Sequence, residues 1–174
     1  MSVATVMPTG IERTFGEDEI IVSKTDLKGR ITYANQVFLR IAGYSEKEVL
    51  GEPHNIIRHP AMPRCVFKLL WDTVEARREI FAYVMNMARN GDHYWVFAHV
   101  TPTFDAGGNP VGYHSNRRSP TRSSVEAIAP IYKELLQEEN KFSDKQQGME
   151  ASGKLLASLL QAKGIEYDEF AFAV

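Results

Sequence analysis

The chain has one cysteine, Cys65, in 174 residues. An intrachain disulfide is impossible, and the apolar run Cys65-Val66-Phe67 reads as a place for a buried, inert thiol. No stretch approaches the roughly 18 consecutive apolar residues of a membrane span, so direct membrane insertion is not expected. Residues 1–10 lack the apolar core of a secretory leader. Neither sign of charge dominates: 20 basic residues stand against 22 acidic ones, for a net charge of -2. That balance argues against nucleic acid or an anionic membrane surface as a partner. The five histidines show no metal-ligand spacing and Cys65 has no mate, so no metal site is expected. No Ser, Cys or Asp sits in a nucleophile motif, so the chain is expected to have no catalytic residue and no enzymatic activity. What remains is a cytoplasmic chain, 44% hydrophobic, able to bury one core.

The element pattern is legible from caps, turns and periodicity. Residues 19–26 begin apolar and end polar, as a strand entering a turn does. Gly29 supplies the turn, and residues 31–35 resume as a second strand. Asn35 is a favoured N-cap for a helix carrying Val37, Phe38, Ile41 and Ala42, which Gly43 ends. Ser45-Glu46-Lys47-Glu48 fits a capping box, with the helix stopping near Gly51. Residues 53–63 hold Pro53, Pro60 and Pro63 and cannot form one regular helix; short turns or a single 3₁₀ turn are expected. A helical stripe of Val66, Phe67, Leu69, Leu70, Trp71 and Val74 follows, with Trp71 expected in the core. Residues 80–87 and 94–104 flank Asn90-Gly91, the strongest short hairpin signal, and residues 111–117 form a last strand.

Two strands, three helical segments and a three-strand meander imply an α+β domain with one five-stranded antiparallel sheet and helices on one face. From Ser123 the pattern changes. A helix with Ile128, Ile131, Tyr132, Leu135 and Leu136 on one side contains Pro130, so it starts near that proline or kinks there. A polar break over 141–148 precedes a second amphipathic helix over 149–164, and an apolar, acidic tail closes the chain. These helices are expected to pack on the sheet or on a second subunit. The division is residues 1–18 as an irregular N-terminal segment, 19–120 as a sensor domain and 121–174 as a C-terminal helical extension.

Two stretches carry the functional signal, and they point to a small-molecule pocket. One is the His-, Arg- and Asn-rich run of residues 53–63. The other is Asn90-Gly91-Asp92-His93-Tyr94-Trp95-Val96. Arg58 offers a planar, permanently charged fork suited to a pyrophosphate or a carbonyl, and His59 stands beside it. His54 and Asn55 can bond a ring edge or tie the loop to its own backbone. Asn35 caps its helix and can also face the pocket. Tyr94 and Trp95 must point to opposite sheet faces, so only one can line the pocket. Ser115 and Arg117 share one strand face, a polar pair inside an apolar sheet.

The words Thr25-Asp26-x-x-Gly29-x-Ile31-x-x-Ala34-Asn35, Gly43-Tyr44, Gly51-x-Pro53-His54-Asn55 and Arg58-His59-Pro60-x-Met62-Pro63 occur in order. Leu70-Trp71-x-Thr73, Asn90 to Val96, Pro102 and Gly112-Tyr113-x-Ser115-x-Arg117 follow. Together, over residues 20–120, they resemble the PAS domain of the Aer type, found in bacterial aerotaxis and energy-taxis receptors. The resemblance implies a PAS fold that binds FAD without a covalent link. It implies a redox, oxygen or energy signal passed to a membrane-bound or soluble chemotaxis transducer. Asn35, His54, Asn55, Arg58, His59, Tyr94, Trp95, Ser115 and Arg117 are the cofactor contacts it points to. Two places depart from the family: Ala61 follows Arg-His-Pro, and residues 79–82 lack a tryptophan. Both changes make the pocket more apolar. The resemblance is to a stand-alone form, with a homodimer formed through the flanking helices. The alternatives are a haem b site with His54 or His59 as axial ligand, and a cofactor-free PAS interaction module.

Overall fold

The computed structural model describes residues 6–174; the first five residues of the expected irregular segment lie outside the described residues. Strands β1 (Ile21–Thr25) and β2 (Ile31–Ala34) form the first hairpin. Asp26 builds its turn by accepting from the backbone N–H groups of Lys28 and Arg30 at 2.8 and 2.9 Å, while Gly29 takes φ +77°. Helix α1 (Gln36–Ala42) starts at Asn35 and ends at Gly43, which is left-handed as a C-cap glycine should be. Helix α2 (Glu46–Val49) carries the Ser45/Glu48 capping box. The proline-rich run contains a single 3₁₀ turn, His54–Ile57, and α3 (Arg64–Glu75) follows.

Strands β3 (Ile80–Met87), β4 (His93–Phe104) and β5 (Pro110–Arg118) form the meander. The sheet order is β2-β1-β5-β4-β3, antiparallel throughout. Because β1 and β5 sit side by side in the centre, Ser23 faces Ser115 directly and Ile21 faces Arg117. The twofold alternation of strands then sorts the side chains. Ser23, Thr25, Val84, Asn86, Ala98, Val100, Ser115 and Arg117 look toward the loop of residues 54–63 and α3. Phe81, Phe97 and His99 look the other way and stack on one another.

The C-terminal helices pack within the chain. Helix α4 (Arg122–Glu139) starts at a Thr121 cap rather than near Pro130, which it holds inside the helix. Its Tyr132 stacks on Trp95 and donates to the Tyr83 carbonyl at 2.6 Å. Helix α5 (Lys145–Lys163) begins earlier than the expected residue 149 because Asp144 caps it, accepting from Gln147 N–H at 2.8 Å. The apolar, acidic tail is itself a helix, α6 (Tyr167–Ala173), opened by a Glu166/Glu169 capping box. Its Phe172 lies on Phe81, with ring centroids 4.7 Å apart. The outer face of the sheet at β3 and β4 is thereby covered by α4 and α6.

Asn35 joins the first hairpin to α1. Its Oδ1 accepts from Phe38 N–H at 2.9 Å and Val22 N–H at 3.1 Å, and its Nδ2 donates to the Ile20 carbonyl at 2.8 Å. Asn35→Ala removes a cap and two inter-element bonds and should cost about 2 kcal/mol of unfolding free energy. Asn35→Asp keeps the acceptor and should lose less. Urea denaturation of both variants checks this ordering; equal losses would show that the bonds accepted by Oδ1, the helix cap among them, contribute nothing.

Candidate functional site

Between the inner sheet face, the 54–63 loop and α3 lies a cavity of about 490 Å³, within the range of small-molecule sites. Apolar and aromatic groups form most of its wall, among them Ile57, Phe67, Leu70, Trp71, Val84 and Tyr113. Trp71, expected in the core, is only partly buried; it meets Tyr113 edge to face at 5.4 Å and lines the cavity. The loop is stitched to the sheet edge. Arg58 forms an isolated bridge with Asn86 of β3, and Met62 Sδ accepts from Met85 N–H at 3.3 Å. Arg58 lies over the Phe67 ring, 4.3 Å from its centroid.

The polar floor is built around Arg117. It is 3% exposed, and it forms no ion pair among the described residues. Its Nη2 donates to Ser23 Oγ at 2.6 Å and to His54 Nε2 at 2.7 Å. A guanidinium can only donate, so His54 Nε2 accepts and the imidazole is neutral with its proton on Nδ1. Burial and the Arg117 charge push the His54 pKa down to about 3. Burial lowers that of Arg117 to about 10, leaving it charged at neutral pH. Arg117 Nη1, Ser115 Oγ and Thr25 Oγ1 are buried without a hydrogen-bond partner among the described residues, and all three residues line the cavity. Unsatisfied buried polar groups are costly and uncommon. Three on one floor, beside a cation without an anion, fit an occupant that accepts hydrogen bonds and tolerates or carries negative charge.

Of the expected contacts, His54, Asn55, Arg58, Ser115 and Arg117 line the cavity. Asn35 is engaged in its cap and in bonds to β1. His59 is buried outside the cavity lining, edge-on to His93, with Nδ1 accepting from Ala61 N–H at 3.0 Å. Tyr94 and Trp95 divide as alternation requires: Trp95 lies on the outer face under Tyr132. Tyr94 is buried with its hydroxyl unpartnered, beside rather than in the cavity lining. Sequence reasoning missed Ser23, Thr25 and Asn86. Asn86 had a signal, a lone amide alternating with Met85 and Met87 on an apolar strand; Ser23 and Thr25 resembled ordinary strand ends. No group of His, Cys, Asp and Glu suited to a metal ion occurs among the described residues, and no helix among them is long and apolar enough to cross a membrane.

A family model described as the PAS fold matches residues 31–117. This chain belongs to the PAS family. The Aer-type likeness of its motifs is shown as well: the chain is 40% identical over 119 residues to the aerotaxis receptor of Escherichia coli strain K12, covering 68% of this chain and 23% of that protein. It is 30% identical over 99 residues to a nitrogen fixation regulatory protein of Klebsiella pneumoniae, covering 57% of this chain and 20% of that one. The chain thus spans about a quarter or less of these relatives' length. Among solved structures, the dark state of the blue-light photoreceptor Aureochrome1 LOV superimposes with a TM-score of 0.56 at 23% identity. That match covers 63% of this chain and 82% of the other, and shows a shared fold.

The neutral His54 has a consequence for stability. Its folded pKa of about 3 lies below the ordinary 6.5, so the unfolded chain binds the extra proton between these values. The stability present above pH 6.5 is lost as pH falls toward 3, by at most about 1.4 kcal/mol per pH unit for one proton. His54→Gln should flatten the decline in unfolding free energy between those limits. An unchanged slope across a pH series of denaturation curves would show that His54 binds its proton as readily in the fold as in the unfolded chain.

Proposed function

We propose that this PAS domain binds FAD non-covalently and serves as a cytoplasmic sensor of redox, oxygen or energy state. Its expected listener is a membrane-bound or soluble chemotaxis-type transducer, and it has no enzymatic role of its own. The observation that carries the reading is the cavity floor, where, among the described residues, Arg117 is buried without a counter-ion and Ser115 and Thr25 point unpartnered hydroxyls at the same space. A flavin ring offers carbonyl and ring-nitrogen acceptors to such donors. Arg117, Ser115 and Asn86 would hold its polar edge, Phe67 and Trp71 would flank its faces, and Arg58 at the mouth would meet a phosphate. Likeness to an aerotaxis receptor supports the signalling half of the proposal. A flavin is in keeping with one solved structure of the same fold, a light-oxygen-voltage domain whose mechanism was probed with a flavin analogue.

A bound flavin supplies reversible redox chemistry in which charge and hydrogen-bonding capacity change with oxidation state. The residues of this chain convert that change into force. Arg117 meets any gain of negative charge with an attraction undiluted by water, and it is bonded to both β1 and the 54–63 loop through Ser23 and His54. A shift at Arg117 therefore moves the loop relative to the sheet, the kind of two-state element that signalling requires. The haem alternative is less well supported. His54 Nε2 is engaged by Arg117 and Ser23, and His59 lies outside the cavity lining. The open cavity also weighs against a module whose pocket is filled by side chains. A homodimer belongs to the same reading, with size-exclusion and light scattering as its test.

The purified chain should be yellow, with the blue-region absorption band of oxidised flavin, or should become so on reconstitution with FAD. Arg58→Ala should weaken FAD binding about ten- to hundredfold through loss of a charge-assisted bond, with native circular dichroism. Colourless protein that takes up no FAD would overturn the reading, and a Soret band would favour haem.

A further inference from the structure

Helix α3 begins after Pro63, whose side chain cannot cap it. The acceptor comes instead from Glu139, at the far end of α4. Its Oε1 accepts from Cys65 N–H at 3.0 Å and from Ser152 Oγ of α5 at 2.9 Å. Its Oε2 has no hydrogen-bond partner among the described residues and lies 3.6 Å from Arg64 Nη1; the side chain is 0% exposed. One buried carboxylate thus joins three helices, at a helix N-terminus where negative charge is favoured. Removing one partner of such a buried group is costly because the others are left unpaired.

Two of those helices border the cavity. Helix α3 contributes Arg64, Phe67, Lys68, Leu70 and Trp71, and α5 contributes Met149. Met149 is the cavity-lining residue that comes from beyond Arg117 in the chain. Gly148 brings it there: a Cβ at that position would lie 2.5 Å from the Glu139 carbonyl oxygen, so α5 passes directly against the end of α4. The same register sets Gly153 against Cys65 of α3, at 3.9 Å from its Cβ.

We propose that the C-terminal helices complete the ligand site: Met149 is a ligand contact at the cavity mouth, and Glu139 is the positioning residue that sets α5 and the α3 wall against each other. This inference rests on the flavin reading, which supplies its probe. A ligand that touches both α3 and Met149 stabilises the docked α5, and reciprocity requires that loosening α5 weakens the ligand by the same factor.

The test is FAD titration of the full chain by fluorescence quenching, with amide exchange of α5 followed in the presence and absence of FAD. In the unaltered chain FAD should slow exchange in α5, and Glu139→Gln should reduce that FAD-dependent slowing, a change that a merely structural Glu139 would not produce. Met149→Ala should weaken FAD about tenfold while leaving α5 exchange in the free protein near native. Glu139→Gln and Gly148→Ala should both weaken FAD and speed α5 exchange. Full FAD affinity in Met149→Ala overturns the proposal whatever the other variants do, including the case in which Glu139→Gln fails to fold. FAD binding that leaves α5 exchange unchanged also overturns it while the flavin reading stands. No FAD binding by the unaltered chain overturns the flavin reading and this proposal together.

Discussion

Arg117 carries a full positive charge at the centre of the sheet, with a serine hydroxyl, a neutral imidazole and, 5.7 Å away, the face of Phe38 around it. Taking a guanidinium out of water without an anion opposes folding by several kcal/mol before hydrogen bonds offset part of it. Its surroundings follow from that constraint. Ser23 must be a hydrogen-bonding residue directly across from Ser115. His54 must stay neutral, since a second cation 2.7 Å away would add repulsion to desolvation. The 3₁₀ turn that carries His54 must close down on β1. A fold that keeps such a group accepts reduced stability there, which fits the proposal that a ligand supplies the missing partner.

The rest of the domain makes that floor rigid and encloses it. Arg58 bridging Asn86, and Met62 accepting from Met85, fix the proline-rich loop along the sheet edge. Helix α3 roofs the opening, and its start is held by a carboxylate from α4. The C-terminal helices act on both sides of the sheet. Tyr132 and Phe172 cover the outer aromatic face, while Met149 reaches the cavity mouth. The extension is therefore packed into the same body as the sensor fold, in contact with both faces through which a change at the ligand could be read.

Much of this was legible in the sequence wherever the cause is local. The Asp26–Gly29 turn, the Asn35 cap, the Ser45/Glu48 box and the Asn90-Gly91 hairpin are each set by residues within a few positions of one another, and each stands where the residue types place it. Alternation correctly separated Tyr94 from Trp95, but it could not say which faces inward. That is decided by Tyr132, some forty residues away, stacking on Trp95. The loop drew attention to Arg58 and His59, yet His59 packs on His93 while the central cation is Arg117. Strand alternation marks Arg117 and Ser115 as a polar pair, but the central place of Arg117 arises from what β1 and the 3₁₀ turn bring to it, and strand pairing across nearly a hundred residues leaves no local mark. Met149 and Glu139 were hidden for the same reason, and α6 because a capped seven-residue helix in an apolar tail lacks a periodic signal.

Whether Arg117 is kept for an electron-rich occupant is decided by thermal unfolding of the full chain with and without excess FAD, in unaltered protein and in Arg117→Met. The substitution removes the buried charge, and Ser23 Oγ and His54 Nε2, already 3.0 Å apart, can still bond each other. The free variant should melt higher than the unaltered protein, because an unpaired charge has gone, and FAD should no longer raise its midpoint. A free variant that melts lower yet keeps the full FAD-induced rise would contradict that role for Arg117.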